Sequence, residues 1–261
     1  GVEDATPEQR EVSGYETGKA DMTAALTVFR GELYATCYYR RGVFKYEGGT
    51  SWKNIGLDKR LLSFAVYRHE LYALINGGAV FRYLGADNWE DCGTPTGSTQ
   101  TYGAATYAGN LYVGTWPEGT VHRYGDDKTW TTVGRAGEER EIMGMALYNQ
   151  KMYVGSLPMA NVWRMDGNGF SFVGNVDDTP NVVYRRAWSM AVYDGQLFAG
   201  TLPSPPDGAE GLRIMDDQQN FADPGSRLLP AGLADGLPPD AGHAAALVDR
   251  LVRRFGAQGY D

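Results

Sequence analysis

One short sequence element recurs along most of this chain and constrains its fold more than any other feature. The segment YAGNLYVGT is echoed by FRGELYATC, YRHELYALI, YNQKMYVGS and YDGQLFAGT. A period of about 20–50 residues is typical of repeat architectures, whose units bury apolar surface only by stacking on their neighbours. The shared apolar-aromatic pair recurs at spacings of 38, 40, 41 and 45 residues, starting at Leu33, Leu71, Leu111, Met152 and Leu197.

Each repeat has the pattern of four short strands, which we name A to D. In the third copy these are YGAATY, LYVGT, TVHRY and WTTVG, and a glycine-containing turn joins strands A and B. Strand C recurs as VFKY, VFRY and VWRM. The fifth copy is degraded, but its segment LRIMDDQQNFADPG has the same length as VHRYGDDKTWTTVG of the third copy. Four strands in a unit of about 40 residues predict the blade of a β-propeller.

We therefore predict an all-β protein, a β-propeller of four-stranded blades with five recognisable blades over residues 24–225. The blades are placed at about 24–59, 60–100, 101–141, 142–186 and 187–225. Residues 1–23 are an N-terminal segment with a candidate closing strand, REVSG, and residues 226–261 are a C-terminal extension. We expect the extension to be partly helical, since one helical face would hold Leu247, Val248, Leu251, Val252 and Phe255. The alternative is a composite sixth blade built from both terminal segments.

The repeated apolar positions predict the core. A lone four-stranded sheet cannot bury both of its faces, so blades pack face to face around an axis. We expect Leu111, Val113, Val121 and Trp130, with their counterparts in other copies, to make the contacts between blades. In three copies a proline follows strand B and is expected to end it: Pro117, Pro158 and Pro203.

The turns between strands C and D carry a resemblance to known repeats. EGGTSW, GADNW, GDDKTW and DGNGF resemble the Asp-box turns of sialidase-type propellers and the turns of kelch-like repeats. No copy has the full Asp-box pattern, with Ser before the Asp and Gly before Thr-Trp, so the resemblance implies a propeller and no specific family. Acidic and Asn residues in these turns are expected to cap their own backbone.

Composition excludes several classes of partner. The net charge of −8, without a basic run, disfavours nucleic acid, and no stretch approaches the roughly 20 apolar residues of a membrane span. No signal peptide is visible at the start of the sequence, and a processed mature chain would look the same. An extracellular or periplasmic location is slightly favoured. Two cysteines, Cys37 and Cys92, are too few for a disulfide framework or a Cys-based zinc site, and we expect buried small residues.

Candidate ligand-binding residues lie in the loops that open on one face of a propeller, near its axis. Arg140 and Arg186 lie at about the same place, just before strand A, and Arg60 is nearly equivalent. Guanidinium groups bind carboxylates in a bidentate manner, and interleaved aromatic faces suit sugar rings. The predicted ligand-binding residues are Arg60, Tyr102, Trp116, Glu118, Arg140, Arg186 and Trp188.

A structural interpretation of these arginines stands beside the functional one. An arginine before an inner strand often pairs with a glutamate of a neighbouring blade, and Glu139 and Glu141 are available. Weak catalytic candidates are Glu118, Glu141 and Tyr184, because paired carboxylates or a tyrosine beside arginine suit glycan chemistry. Three scattered histidines give no pattern of a metal site or a triad, and we predict no metal and no cofactor: His69, His122 and His243.

Three functions follow from this sequence. The first is a lectin-like propeller that binds an acidic or neutral glycan on its top face. The second is a glycan-processing enzyme, either a sialidase-like hydrolase or a polysaccharide lyase, in which differences between blade loops form one central pocket. The third is a scaffold that binds a protein partner, a frequent use of repeat propellers.

Overall fold

A computed structural model of the protein describes residues 23–37 and 42–204. Blade 1 contains β1 (Thr23–Phe29), β2 (Glu32–Cys37), β3 (Val43–Gly48) and β4 (Ser51–Asn54). Blade 2 contains β5 (Leu61–Tyr67), β6 (Glu70–Ile75), β7 (Val80–Gly85) and β8 (Asn88–Asp91). Blade 3 contains β9 (Gln100–Tyr107), β10 (Asn110–Trp116), β11 (Thr120–Tyr124) and β12 (Trp130–Arg135). Blade 4 contains β13 (Glu141–Tyr148), β14 (Lys151–Leu157), β15 (Asn161–Asp166) and β16 (Gly169–Asn175), and blade 5 contributes β17 (Tyr184–Tyr193) and β18 (Gln196–Ser204).

The chain folds as an all-β propeller. Blades 1 to 4 are four-stranded antiparallel meanders, and β17 pairs with β18 in a two-stranded sheet. The first strand of each blade contacts the first strand of the next, from β1 through β5, β9 and β13 to β17. These first strands therefore line the inside of the propeller, and the order of blades in space follows the sequence.

Two-residue turns join the first and second strands of the blades. Both turn residues have positive φ, as in Arg68 and His69 (49° and 59°) and in Ala108 and Gly109 (46° and 74°). Turns of this hand match the twist of antiparallel strands, so they hold each hairpin in register. His69 thus has a turn position, as its place in the sequence predicts.

The predicted core positions form the interfaces between blades. Leu111 and Val113 of blade 3 pack against Leu74, Val80 and Cys92 of blade 2. On the opposite face of blade 3, Tyr112 and Val121 pack against blade 4 through a cluster that includes Ile142, Met152 and Val154. Burying each large side chain stabilises the fold by roughly 1.5–3 kcal/mol.

Aromatic side chains with polar tips join neighbouring blades at both edges of these interfaces. The hydroxyl of the tyrosine that ends an inner strand donates to a turn carbonyl of the next blade, as Tyr107 does to Gln150 (3.2 Å). The indole of Trp130 donates to the Cys92 carbonyl of the preceding blade (3.0 Å), and Trp89 donates to Ile55 (2.9 Å). The recurrence of these residues follows from repeated hydrogen bonds between blades.

The C–D turns of blades 2 and 3 are capped by their own side chains, as predicted. Asp127 Oδ1 accepts hydrogen bonds from the backbone N–H (3.3 Å) and the hydroxyl (2.5 Å) of Thr129. Asn88 Nδ2 donates to the carbonyls of Ala86 (2.9 Å) and Gly85 (3.4 Å). The finer resemblance to Asp-box or kelch repeats stays a prediction.

Proline ends the second strand in two of the three copies. β10 stops at Trp116 and β14 stops at Leu157, directly before Pro117 and Pro158. The same prediction is wrong for Pro203, which lies inside β18 opposite Arg185. A proline lacks only its N–H, so an edge strand can continue through it.

Several predictions concern segments beyond the described residues. These are the N-terminal segment, strands C and D of blade 5 and the C-terminal extension with its predicted helix. The domain bounds remain predictions as well. Both cysteines are buried thiols, in agreement with the sequence. Within the described ranges there is no helix with the length and apolarity to cross a membrane.

Candidate functional site

One register position at the start of the inner strands carries a polar or charged residue in four successive blades. Glu141 pairs with Leu157, and Arg186 pairs with Leu202 at the matching position of blade 5. Gln100 of blade 3 pairs with Trp116, and Arg60 precedes β5 in the equivalent place. We call these residues the axial layer, defined as Arg60, Gln100, Glu141 and Arg186.

This register corrects the sequence alignment of the arginines. The counterpart of Arg140 in blade 5 is Arg185, because Glu141 and Arg186 both occupy the first position of the layer. The expectation that Arg140 and Arg186 occupy equivalent places is therefore wrong by one residue. The main chain of Arg185 forms hydrogen bonds with the loop after β14. The side-chain Nε of Arg185 donates to the Thr179 carbonyl (2.7 Å).

A β-bulge in each inner strand places a second residue beside the axial layer. The register shifts once near the start of β5, β9, β13 and β17. A bulge bends the strand and redirects a side chain. The residues within these shifts include Leu62, Tyr102, Met143 and Trp188.

Five of the predicted site residues come together in what we call the axial cluster. Its members are Tyr102 from β9, Glu141 from β13, and Tyr184, Arg186 and Trp188 from β17. The rings of Tyr102 and Trp188 meet edge to face, with centroids 5.6 Å apart. The Arg186 guanidinium carbon lies 5.4 Å from the Tyr184 ring centroid and 5.7 Å from that of Trp188.

Glu141 is the buried carboxyl of this cluster. Its side chain belongs to a residue that is only 5% exposed, and within the described part of the chain its Oε1 has no hydrogen-bond partner. Burial raises the pKa of the Glu141 carboxyl to about 7, and the positive charge of Arg186 partly offsets that rise. A carboxyl with this pKa exchanges a proton near neutral pH, as an acid or base catalyst must.

Arg186 supplies the positive charge of the cluster. Burial lowers the pKa of its guanidinium, while the nearby Glu141, Tyr102 and Tyr184 act in the opposite direction. An arginine remains charged despite such a shift, because its ordinary pKa lies far above neutral. The cluster thus combines a permanent cation with a carboxyl whose charge depends on pH.

Trp116 and Arg140 lie together at the rim of the cluster, and we call them the rim pair. The Arg140 guanidinium carbon lies 4.5 Å from the Trp116 ring centroid. Trp116 is half-buried at the end of β10, and Arg140 is exposed directly before Glu141. The pair is adjacent to the axial layer because Trp116 opposes Gln100.

The two remaining predicted residues are Glu118 and Arg60. Glu118 is exposed in the turn between β10 and β11. Arg60 is half-buried in the axial layer, where its carbonyl accepts a hydrogen bond from the backbone N–H of Asn76 (2.9 Å). The pairing of Glu118 with Glu141 as two catalytic carboxyls is therefore not what the described contacts favour.

Sequence reasoning missed the distinct role of Glu139. This residue is 3% exposed, and its carboxylate accepts hydrogen bonds from Asn161 Nδ2 (2.5 Å) and the Met159 N–H (3.3 Å). Burial raises the pKa of Glu139, and these hydrogen bonds together with one from Ser156 offset the rise. Its position two residues before Glu141 was the available signal.

The buried histidine of blade 3 has a structural environment. His122 Nε2 lies 2.9 Å from Thr120 Oγ1, and its Nδ1 lies 3.3 Å from Thr132 Oγ1. Burial lowers the pKa of the imidazole, which favours its neutral form. Among the residues that the structure describes, no group of three or more His, Cys, Asp or Glu side chains is arranged to hold a metal ion.

Comparisons with known proteins show the fold. No protein-family profile matches the chain. A gluconolactonase of Xanthomonas campestris has a TM-score of 0.56 and 14% identity, over 73% of this chain and 74% of that one. Virginiamycin B lyase of Staphylococcus aureus has a TM-score of 0.54 and 11% identity, over 72% and 73% of the two chains.

One curated relative matches a short segment. The ATP phosphoribosyltransferase regulatory subunit of Rhodospirillum centenum is 55% identical over 38 residues. The match spans 15% of this chain and 10% of that protein, which is too little to show a family. The two solved structures show that the chain is similar in fold to β-propeller proteins at low sequence identity.

Proposed function

We propose that this protein is a propeller enzyme that cleaves an acidic saccharide by elimination, with Glu141 as its general base. The observation that carries the proposal is the environment of that carboxyl. It is buried, it has an oxygen without a hydrogen-bond partner in the described chain, and it lies near Arg186. The substrate class is a saccharide with a carboxylate group, which the Arg186 guanidinium would bind.

The buried carboxyl favours an enzyme over a lectin. A site that only binds a glycan gains nothing from a carboxyl whose pKa is about 7, because the desolvation of Glu141 is costly. An acid–base catalyst works best when its pKa is close to the operating pH. The gluconolactonase and the lyase of similar fold are both enzymes by name, which supports the same choice.

The residues of the cluster favour elimination over two-carboxylate hydrolysis. Hydrolysis by paired carboxyls needs a second carboxyl about 5–10 Å from the first, and Glu118 is exposed on the turn after β10. The cluster offers tyrosines and an arginine instead: Tyr102, Tyr184 and Arg186. These are the groups that an elimination next to a carboxylate requires.

The proposed reaction proceeds in balanced proton transfers. Arg186 holds the substrate carboxylate and stabilises the charge that develops on it. The Glu141 carboxylate removes the proton from the carbon next to that carboxylate, and the electron pair of the broken C–H bond forms a carbon–carbon double bond. The C–O bond at the following carbon breaks, and the leaving oxygen takes a proton from the Tyr184 hydroxyl. Glu141 then returns its proton to solvent, and Tyr184 takes one up.

Residues at the rim are proposed to bind the rest of the saccharide. The Trp116 ring provides a flat apolar surface, and Arg140 lies against it with its charge at the surface. Trp188 and Tyr102 give aromatic surface deeper in the cluster. Glu118 and Arg60 are proposed contacts on the loop after β10 and in the axial layer.

The test is an assay on a panel of uronate-containing polysaccharides. Wild-type protein should release products with a new double bond, seen by ultraviolet absorbance, and Glu141→Gln should reduce kcat by roughly 100-fold or more. Asn88→Ala, which changes only an exposed turn of blade 2, is the control and should retain full activity. Release of reducing ends without a double bond would show hydrolysis and contradict the elimination.

Glycan binding without turnover is the second candidate. The specific observation in its favour is the rim pair, since an aromatic ring beside a guanidinium suits recognition of an acidic sugar. Binding on a glycan array, lost in Trp116→Ala and unchanged in Glu141→Gln, with no product from any substrate, would establish this function and exclude the enzyme.

A further inference from the structure

We propose that Glu139 is a positioning residue that holds β13 and β17 at the separation at which Glu141 lies beside Arg186. This inference rests on the proposed function of the axial cluster. Glu139 itself has no part in the chemistry above, since its carboxylate is already bound by Met159 and Asn161.

Glu139 contacts the loop after β14. Its carboxylate Oε2 accepts from the Met159 N–H of that loop, and Oε1 accepts from Asn161 Nδ2 at the start of β15. The Asn161 amide has a fixed orientation, because its Oδ1 accepts a hydrogen bond from Asn175 Nδ2 (3.2 Å). The amide nitrogen must therefore face the carboxylate.

The same loop also contacts β17. The Arg185 N–H donates to the Pro158 carbonyl (2.8 Å), and the Ala160 N–H donates to the Arg185 carbonyl (3.0 Å). Arg185 lies between Tyr184 and Arg186 in the chain, so these two bonds fix the main chain that carries both cluster residues.

The end of β14 that leads into this loop is also hydrogen-bonded to the start of β13. The Arg140 N–H donates to the Leu157 carbonyl (2.8 Å), and Glu139 and Arg140 directly precede Glu141. Residues Leu157 to Asn161 thus support the base on one side and its arginine on the other. Because the Glu139 carboxylate is itself buried, its hydrogen bonds fix the geometry only when each of its oxygens has a donor.

A purely structural role for Glu139 would affect stability and leave the electrostatics of Glu141 unchanged. The charged group that acts on Glu141 is Arg186 of β17, beside which lie Tyr184 of the same strand and Tyr102 of β9. Arg140 and Glu139 lie in the segment that leads into Glu141. If the tie to the loop sets the distance between Glu141 and Arg186, loss of the tie must change the proton affinity of Glu141.

The experiment breaks the tie without changing charge and then rebuilds it with the partners exchanged. Asn161→Ala removes the amide donor. The double variant Glu139→Gln with Asn161→Asp exchanges donor and acceptor, keeps the net charge and leaves an acceptor for Asn175. The readout is the titration of Glu141 by carbon NMR of protein with labelled glutamate, assigned with Glu141→Gln. The control is Asn88→Ala.

Asn161→Ala should raise the titration midpoint of Glu141 by about one pH unit, because the favourable charge of Arg186 recedes. The double variant should keep the midpoint close to the wild-type value, as should the control. A folded Asn161→Ala protein with an unchanged midpoint would overturn the proposal, and so would a double variant that shifts as far as Asn161→Ala.

Two further points keep the test decisive. If Asn161→Ala does not fold, Asn161→Leu replaces it, since leucine has a similar volume, has no donor and leaves the charge unchanged, and it should raise the Glu141 midpoint in the same direction. The titration needs no substrate. Absence of turnover in wild-type protein therefore counts against the proposed elimination, whereas an unmoved Glu141 midpoint counts against the positioning role alone.

Discussion

The faces of the blades and the axial layer are made by the same repeated strands, yet they differ in how far they repeat. At the interfaces, one position holds Leu71, Leu111 and Met152 in successive blades, all fully buried. In the axial layer, the equivalent position holds in turn an arginine, a glutamine, a glutamate and an arginine: Arg60, Gln100, Glu141 and Arg186.

The physical reason for this difference is whether the surroundings of each residue repeat. An interface residue is surrounded by two sheets that repeat, so each copy meets nearly the same shape and needs nearly the same side chain. A residue at the axis faces the opposite blades, and its surroundings differ in each copy. Sequence variation at a position that is otherwise repeated therefore marks the place where function is possible.

Truncation at an interface should have the largest effect on folding. Leu111→Ala removes a fully buried side chain between blades 2 and 3, and we expect the free energy of unfolding to fall by about 2–5 kcal/mol. Urea denaturation measures this loss. Leu84→Ala, at a residue that is 58% exposed, is the control and should change the free energy by less than about 0.5 kcal/mol. Equal losses in the two variants would remove the distinction.

Substitution of the axial carboxyl, in contrast, should raise the free energy of unfolding at high pH. The pKa of Glu141 is raised to about 7 in the folded state, so its contribution to stability is present at acidic pH and is lost as the pH rises through 7. Glu141→Gln should match the wild type near pH 4 and exceed its stability at pH 8 by about 1–3 kcal/mol. Urea denaturation at the two pH values measures the difference.

Glu139→Gln is the matched comparison for that result. Its carboxylate is hydrogen-bonded to Asn161 and Met159, so its substitution should destabilise the protein at pH 8. Two buried glutamates two residues apart would then respond in opposite directions. A Glu141→Gln variant that is destabilised equally at both pH values would show that Glu141 is only another packed residue.

The rim pair should have the smallest effect on stability. Arg140→Ala removes an exposed guanidinium from the Trp116 ring, and we expect a loss of about 0.5–1 kcal/mol in the free energy of unfolding. On an acidic saccharide it should raise KM while kcat is maintained, as expected for a group that binds but does not react. Arg123→Ala, at an exposed position of β11, is the control. An unchanged KM would exclude Arg140 from the site.

The sequence was sufficient for the blades because their signals are local. The Trp130 indole and the Tyr107 hydroxyl recur because each donates to a neighbouring blade, and the strand pattern between them repeats with a constant order. Sequence similarity alone matches Arg140 with Arg186, which is one residue out of register. Counting seven residues back from the tyrosine that ends each inner strand, such as Tyr148 or Tyr193, would have placed Glu141 and Arg186 together.

The propeller fold and the residues that pack between its blades can be predicted from the sequence, because both follow from a periodic pattern of side chains along the chain. The meeting of the polar residues at the axis depends on the three-dimensional fold. Tyr102, Glu141 and Trp188 come from three blades, and their contacts depend on how inner strands converge at the axis. The burial that raises the pKa of Glu141 and the hydrogen bonds that satisfy Glu139 depend on those same three-dimensional surroundings.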